Sequence, residues 1–119
     1  IMSYAHIGTG NYHSQTSNIY TDLGLFTCNK KICDEVIQVF NYLTGSSLKT
    51  DYENILVAPI NMKSTFMAKI QQEIANKKAG RPARIIAKMN AMEDEIISEA
   101  LYEASMVGVQ VTLIVRGFC

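Results

Sequence analysis

A chain of 119 residues, 48% of them hydrophobic, has the apolar content for one compact domain or for parts of two neighbours, and is too apolar for a disordered segment. Its 11 basic and 11 acidic side chains cancel, which removes any global attraction to nucleic acid or to an anionic membrane, so a cationic channel would have to be local or lie in parts of a larger parent. No apolar run approaches the roughly 20 residues of a bilayer span, and the start Ile1-Met2-Ser3 has neither the basic nor the apolar region of a secretory signal.

In chain order, residues 3–7 (SYAHI) alternate enough for a short strand, which Gly8-Thr9-Gly10 then breaks. Residues 30–43 place Ile32, Val36, Phe40 and Leu43 at helical spacing, with Asn29 as N-cap and Gly45 past the end. Residues 45–51 (GSSLKTD) are polar and turn-rich and mark the best boundary between two units. Beyond it a β-α-β-α-β series is expected. Residues 54–59 (NILVAP) form its first strand. A helix capped by Asn61 carries Met62, Phe66, Ile70 and Ile74, and closes at Gly80. Within that helix Glu73 and Lys77 stand at the favourable i,i+4 spacing. The second strand is 83–89 (ARIIAKM). A helix capped by Asp94 follows, with Ile97, Leu101 and Ala104 on one face, and ends at Gly108; the third strand is 109–115 (VQVTLIV). Strands separated by helices of this length imply an α/β fold with a parallel sheet and right-handed crossovers. The three cysteines, Cys28, Cys33 and Cys119, lack C-x-x-C spacing and read as reduced thiols, with metal binding by Cys28 and Cys33 the alternative.

Ligands of open α/β sheets gather beyond the carboxyl ends of the strands. That rule selects Gly8–Asn11 after the first strand, Lys88 and Asn90 at the end of 83–89, and Arg116-Gly117 after 109–115. Two cations and an amide on one sheet edge suit a phosphate. Gly8 and Gly10 would let backbone N–H groups approach an anion, Thr9 adds a hydroxyl, and Asn11 adds a donor and an acceptor. Each has a plainer reading: a simple turn at Gly8–Asn11, a solvated Lys88 and a turn-capping Asn90. The cluster Lys77, Lys78, Arg81 and Arg84 reads as a solvated helix end, and the six methionines as core fillers.

The stretch YAHIGTGNYHSQTSNIYTD, residues 4–22, resembles a signature of the bacterial polyphosphate kinases of the phosphohistidine type. Within it, GTGN also resembles the G-[ST]-x-N tail of the phospholipase D-like catalytic motif, and no H-x-K opening lies upstream of Gly8. Family-like positions continue in family order: Val39-Phe40-Asn41, Leu43-Thr44-Gly45, Glu73-Ile74-Ala75, Lys88-Met89-Asn90, Ala100 to Ser105, and Leu113 to Gly117. The resemblance implies a piece cut from a larger enzyme. Residues 1–50 would be the tail of a first phospholipase D-like domain and 51–119 the opening half of a second, with a mostly parallel sheet flanked by helices. In that family the γ-phosphate of ATP passes to a histidine and then, reversibly, to the end of a polyphosphate chain. The nucleophile would lie outside this chain, so catalytic residues are not expected here and the isolated piece should be inactive.

By position Tyr20 matches a family tyrosine that contacts ATP, by stacking on the base or through its hydroxyl, and Arg116 an arginine of the same nucleotide site. Neither His6 nor His13 opens an H-x-K element; His6 reads as structural or supporting, His13 as exposed. The resemblance further implies Mg2+ held by ligands outside this chain, ATP, ADP and polyphosphate as partners, a homo-oligomeric cytoplasmic parent with membrane association left open, and no nucleic acid. Two rivals stand beside it: a phospholipase D-type phosphodiesterase, and a non-catalytic interaction module. Half-domains leave sheet edges uncovered, so self-association of the piece is also expected.

Overall fold

In the computed structural model, which describes residues 2–48 and 50–117, Gly8 and Gly24 face each other across two short antiparallel strands, β1 (Ala5–Gly8) and β2 (Gly24–Thr27). Period two places His6, Gly8, Gly24 and Phe26 on one face and Ala5, Ile7, Leu25 and Thr27 on the other. The His6 ring stacks on Phe26 with centroids 4.2 Å apart, and its Nε2 shares a hydrogen bond with the Tyr12 hydroxyl. A Cβ at Gly24 would stand 2.8 Å from His6 Cε1, so the glycine makes room for the ring. Strand β2 has no counterpart among the sequence expectations.

Helix α1 (Lys30–Leu43) keeps its expected bounds because Asn29 Oδ1 accepts from the amides of Lys31 and Ile32, and Gly45 turns out of the helix at φ 74°. Its buried positions differ from the expected stripe. Cys33 and Glu35 are buried, while Phe40 and Leu43 are 62% and 71% exposed. Length accounts for this: a 14-residue helix runs about 21 Å, whereas the four-residue strand β1 it packs on extends only about 13 Å. Asn29→Ala should therefore cost about 1 kcal/mol, read as faster amide exchange in the first turn of α1.

Residues 54–59 do not form the expected strand. The amides at and just before its start are claimed by a side chain: the Glu35 carboxylate accepts from the backbone N–H of Glu53 (2.9 Å), Asn54 (2.9 Å) and Ile55 (3.0 Å), and from the Asn54 side-chain amide (2.8 Å). Burial alone would push this carboxyl up, but the hydrogen bonds from Asn54, Glu53 and Ile55 together hold it below the usual glutamate range. Cys33 Sγ donates to the Ser3 carbonyl at 3.4 Å, and Cys28 and Cys33 are both free thiols; Cys119 lies outside the described residues.

The contacts divide the chain into two compact units, Ile1–Val57 and Ala58–Cys119. In the second, α2 (Met62–Lys78), β3 (Arg84–Met89), α3 (Glu95–Met106) and β4 (Gln110–Val115) follow one another. Strands β3 and β4 pair in parallel from Arg84 opposite Gln110 to Met89 opposite Val115, with α3 as the crossover. The core comprises Ile70, Ile74, Ala100, Leu101, Ala104 and Val109, close to the apolar face expected for the two helices. Asp94 caps α3 through the amide of Ile97 (3.1 Å) and also pairs with Lys63 (2.6 Å), and both contacts lower its carboxyl below the usual range. Gly80 and Gly108 close the helices at positive φ. Glu73 does not pair with Lys77; its carboxylate accepts from the Arg84 amide (2.9 Å) and the Asn76 side chain (3.0 Å), tying α2 to the start of β3.

Among the described residues the architecture is thus mixed α/β, with a two-stranded antiparallel sheet in the first unit and a two-stranded parallel sheet in the second, so the mostly parallel sheet expected is present only as the β3–β4 pair.

Candidate functional site

The expected site residues fall into two groups, each within its own unit. In the first unit Thr9 closes a loop. Its amide donates to the Leu23 carbonyl (2.9 Å), its hydroxyl donates to Asp22 Oδ1 (2.9 Å), and the same oxygen accepts from the Leu23 amide (3.0 Å). The hydroxyl that the sequence offers to a phosphate is thus engaged in joining GTGN to YTD. Asn11 Oδ1 accepts from the His13 amide (3.2 Å), a local turn of the kind this residue favours. Neither Gly8 nor Gly10 has positive φ. Gly8 supplies space, since a Cβ there would sit 3.3 Å from His6 Nε2; at Gly10 it would make an ordinary 3.5 Å contact with Asp22. Tyr20 lies on the clasped loop between the short 3-10 turn Thr16–Asn18 and β2, 39% exposed.

In the second unit the parallel pair continues past its last rungs. The Arg116 amide donates to the Met89 carbonyl (3.1 Å) and the Gly117 amide to the Asn90 carbonyl (2.8 Å). Arg116 Nε then donates to Asn90 Oδ1 at 3.0 Å. A Cβ at Gly117 would stand 3.1 Å from the Asn90 carbonyl oxygen, so glycine permits this close approach. The rule about carboxyl ends of strands therefore selected two residues that do meet. Lys88 is apart from them. It is exposed and lines a groove of about 640 Å³ beside α2 with Phe66, Lys69, Ile70 and Met92, a groove that Asn90 and Arg116 do not line.

Sequence reasoning quoted Asp22 within its motif without giving it a task, and passed over Glu35. The first was discoverable from its place in YTD. The second carried no signal, because its partners lie 18 to 20 residues away. Among the described residues no three His, Cys, Asp or Glu side chains converge as a cation site. Chemically, an arginine fixed at a strand end by its Nε is suited to meet an anion with its planar fork.

Comparison with known proteins covers the chain end to end. A family model described as polyphosphate kinase C-terminal domain 1 matches residues 1–49, and one described as polyphosphate kinase C-terminal domain 2 matches 55–119. The polyphosphate kinases of Thermosynechococcus vestitus and Synechocystis sp. are 48% and 49% identical over all 119 residues, and that of Dictyostelium discoideum 42%. The crystal structure of polyphosphate kinase from Porphyromonas gingivalis superposes with a TM-score of 0.92 at 36% identity, over 99% of this chain and 18% of that one. The chain spans 16% of the length of the two cyanobacterial relatives.

Proposed function

The chain belongs to the polyphosphate kinase family, as a C-terminal fragment, and from that premise we propose that it supplies part of the nucleotide site of an ATP:polyphosphate phosphotransferase. The parent would move the γ-phosphate of ATP reversibly, through a phosphohistidine outside this chain, to the end of an inorganic polyphosphate. Residues 1–50 and 51–119 would belong to two phospholipase D-like domains. The observation that carries this reading is agreement over the whole chain, joined to the arrangement of Arg116 at the carboxyl end of the parallel pair.

In this reading Arg116 binds the nucleotide phosphates and offsets charge that develops during transfer; a preorganised guanidinium acts most strongly where water is excluded. Tyr20 contacts the nucleotide by its ring or its hydroxyl. Gly8, Thr9, Gly10 and Asn11 shape the loop that presents Tyr20, and Lys88 and Asn90 support the phosphate side. Magnesium, when bound with the nucleotide, would neutralise phosphate charge and is held by residues outside this chain. The parent is a cytoplasmic homo-oligomer with ATP, ADP and polyphosphate as its ligands. Among the described residues no helix is long and apolar enough to cross a membrane.

Incubating the full-length protein with γ-labelled ATP and magnesium tests the reading. Acid-labile, alkali-stable label that chases into polymer is expected. Absence of label, with turnover of a phosphodiester instead, would move the chain to the phosphodiesterase class.

A further inference from the structure

We propose that Asn90 is a positioning residue for Arg116: it fixes the guanidinium plane through the Nε bond and makes no contact of its own with the nucleotide. This rests on the reading of Arg116 as a nucleotide ligand. An arginine on a flexible stem carries roughly 2 kcal/mol of rotamer entropy, and a ligand that has to order it loses that much affinity. Here the ordering is already made in the protein. The Asn90 side chain takes Nε–H at 3.0 Å, and the backbone on which Asn90 sits is itself pinned twice, by Arg116 N to Met89 O at 3.1 Å and by Gly117 N to Asn90 O at 2.8 Å. Three hydrogen bonds between two adjacent pairs of residues make a short rigid frame rather than one isolated contact.

The composition of the frame follows from its geometry. The acceptor is a neutral amide oxygen, which holds Nε–H without cancelling the positive charge that a phosphate would meet. Gly117 is needed because a Cβ would press to 3.1 Å against the Asn90 carbonyl. The carboxyl ends of β3 and β4 stop in register, Met89 opposite Val115, so the next residue of each strand falls at the same level. The pairing Asn90–Arg116 is therefore a product of parallel register, and a one-residue slip would separate the two.

A double-mutant cycle on the full-length kinase, reading kcat/KM for ATP, tests the assignment. Arg116→Ala is expected to lower kcat/KM about a hundredfold, and Asn90→Ala about tenfold. In an Arg116→Lys background, which removes the Nε donor while leaving measurable activity, Asn90→Ala should change kcat/KM by less than about twofold. Full additivity of Asn90→Ala with Arg116→Lys would overturn the assignment. An Arg116→Ala enzyme with unchanged kcat/KM would instead remove the nucleotide role of Arg116 on which the assignment stands.

Discussion

Glu35→Ala is expected to release residues 53–55 from α1. The substitution removes the acceptor of three consecutive backbone amides and of the Asn54 side chain at a site only 8% exposed. The carboxylate is buried whereas Glu53 and Asn54 are exposed and can turn to water, so the loss of these charge-assisted hydrogen bonds should cost about 1–3 kcal/mol for the whole cluster. Amide exchange at Glu53, Asn54 and Ile55 should then rise about a hundredfold. Glu35→Gln, which retains one oxygen and the shape, should fall between. Unchanged exchange in Glu35→Ala would mean that these amides are protected by something other than the carboxylate.

The same group makes the contact acid-sensitive, and the sign follows from its lowered value. A carboxyl that titrates lower in the folded state than in the unfolded one stabilises fully above the unfolded value, about 4.3, and this is lost as pH falls through the lower folded value. Protection of residues 53–55 should therefore be flat from neutral pH down to about 5 and decline below that. Glu35→Gln should show no such decline.

The second large effect is expected at Thr9. Thr9→Val preserves volume while removing the hydroxyl that holds Asp22 and the Leu23 amide. Being exposed, these groups turn to water, and the global loss should stay within about 1 kcal/mol. The loop bearing Tyr20 nevertheless loses its clasp. If Tyr20 stacks on the base, Tyr20→Ala should weaken ATP binding by about 1–3 kcal/mol, roughly five- to 150-fold, with Tyr20→Phe unaffected. A hydroxyl contact would instead make Phe as poor as Ala. Thr9→Val should reach about a tenfold loss, restored by Thr9→Ser, and should add little to Tyr20→Ala. Additive losses, or failure of serine to restore binding, would show that Thr9 does not act through Tyr20.

How much of this was legible depends on how local the cause is. Most helix ends were readable because their signals lie within a few residues: Asn29 and Asp94 accept from their own first turns, and Gly45, Gly80 and Gly108 adopt the left-handed backbone at the ends, whereas Asn61, expected to cap α2, stands at its start with no side-chain cap hydrogen bond. Strands β3 and β4 were readable as apolar runs between helices. The strand expected at 54–59 failed because the first two residues of NILVAP already give their amides to Glu35, a competitor far away in sequence. Strand β2 went unread because GLFT is four residues long and pairs only through the turn that Thr9 clasps. At the candidate site, sheet topology found Asn90 and Arg116 but not the direction of their bond, and it offered Thr9 as a donor to phosphate where the structure has it donating to Asp22.

The grip of Glu35 on residues 53–55 also changes what the polar stretch GSSLKTD is. It leaves α1 at Leu43 and returns to α1 at Glu35, so both of its ends are anchored on one body and it is a closed loop rather than a tether. Loop closure depends weakly on length, each doubling adding only about 0.6 kcal/mol. An insertion or a protease site placed after Ser47 would therefore leave the join between its two sides intact.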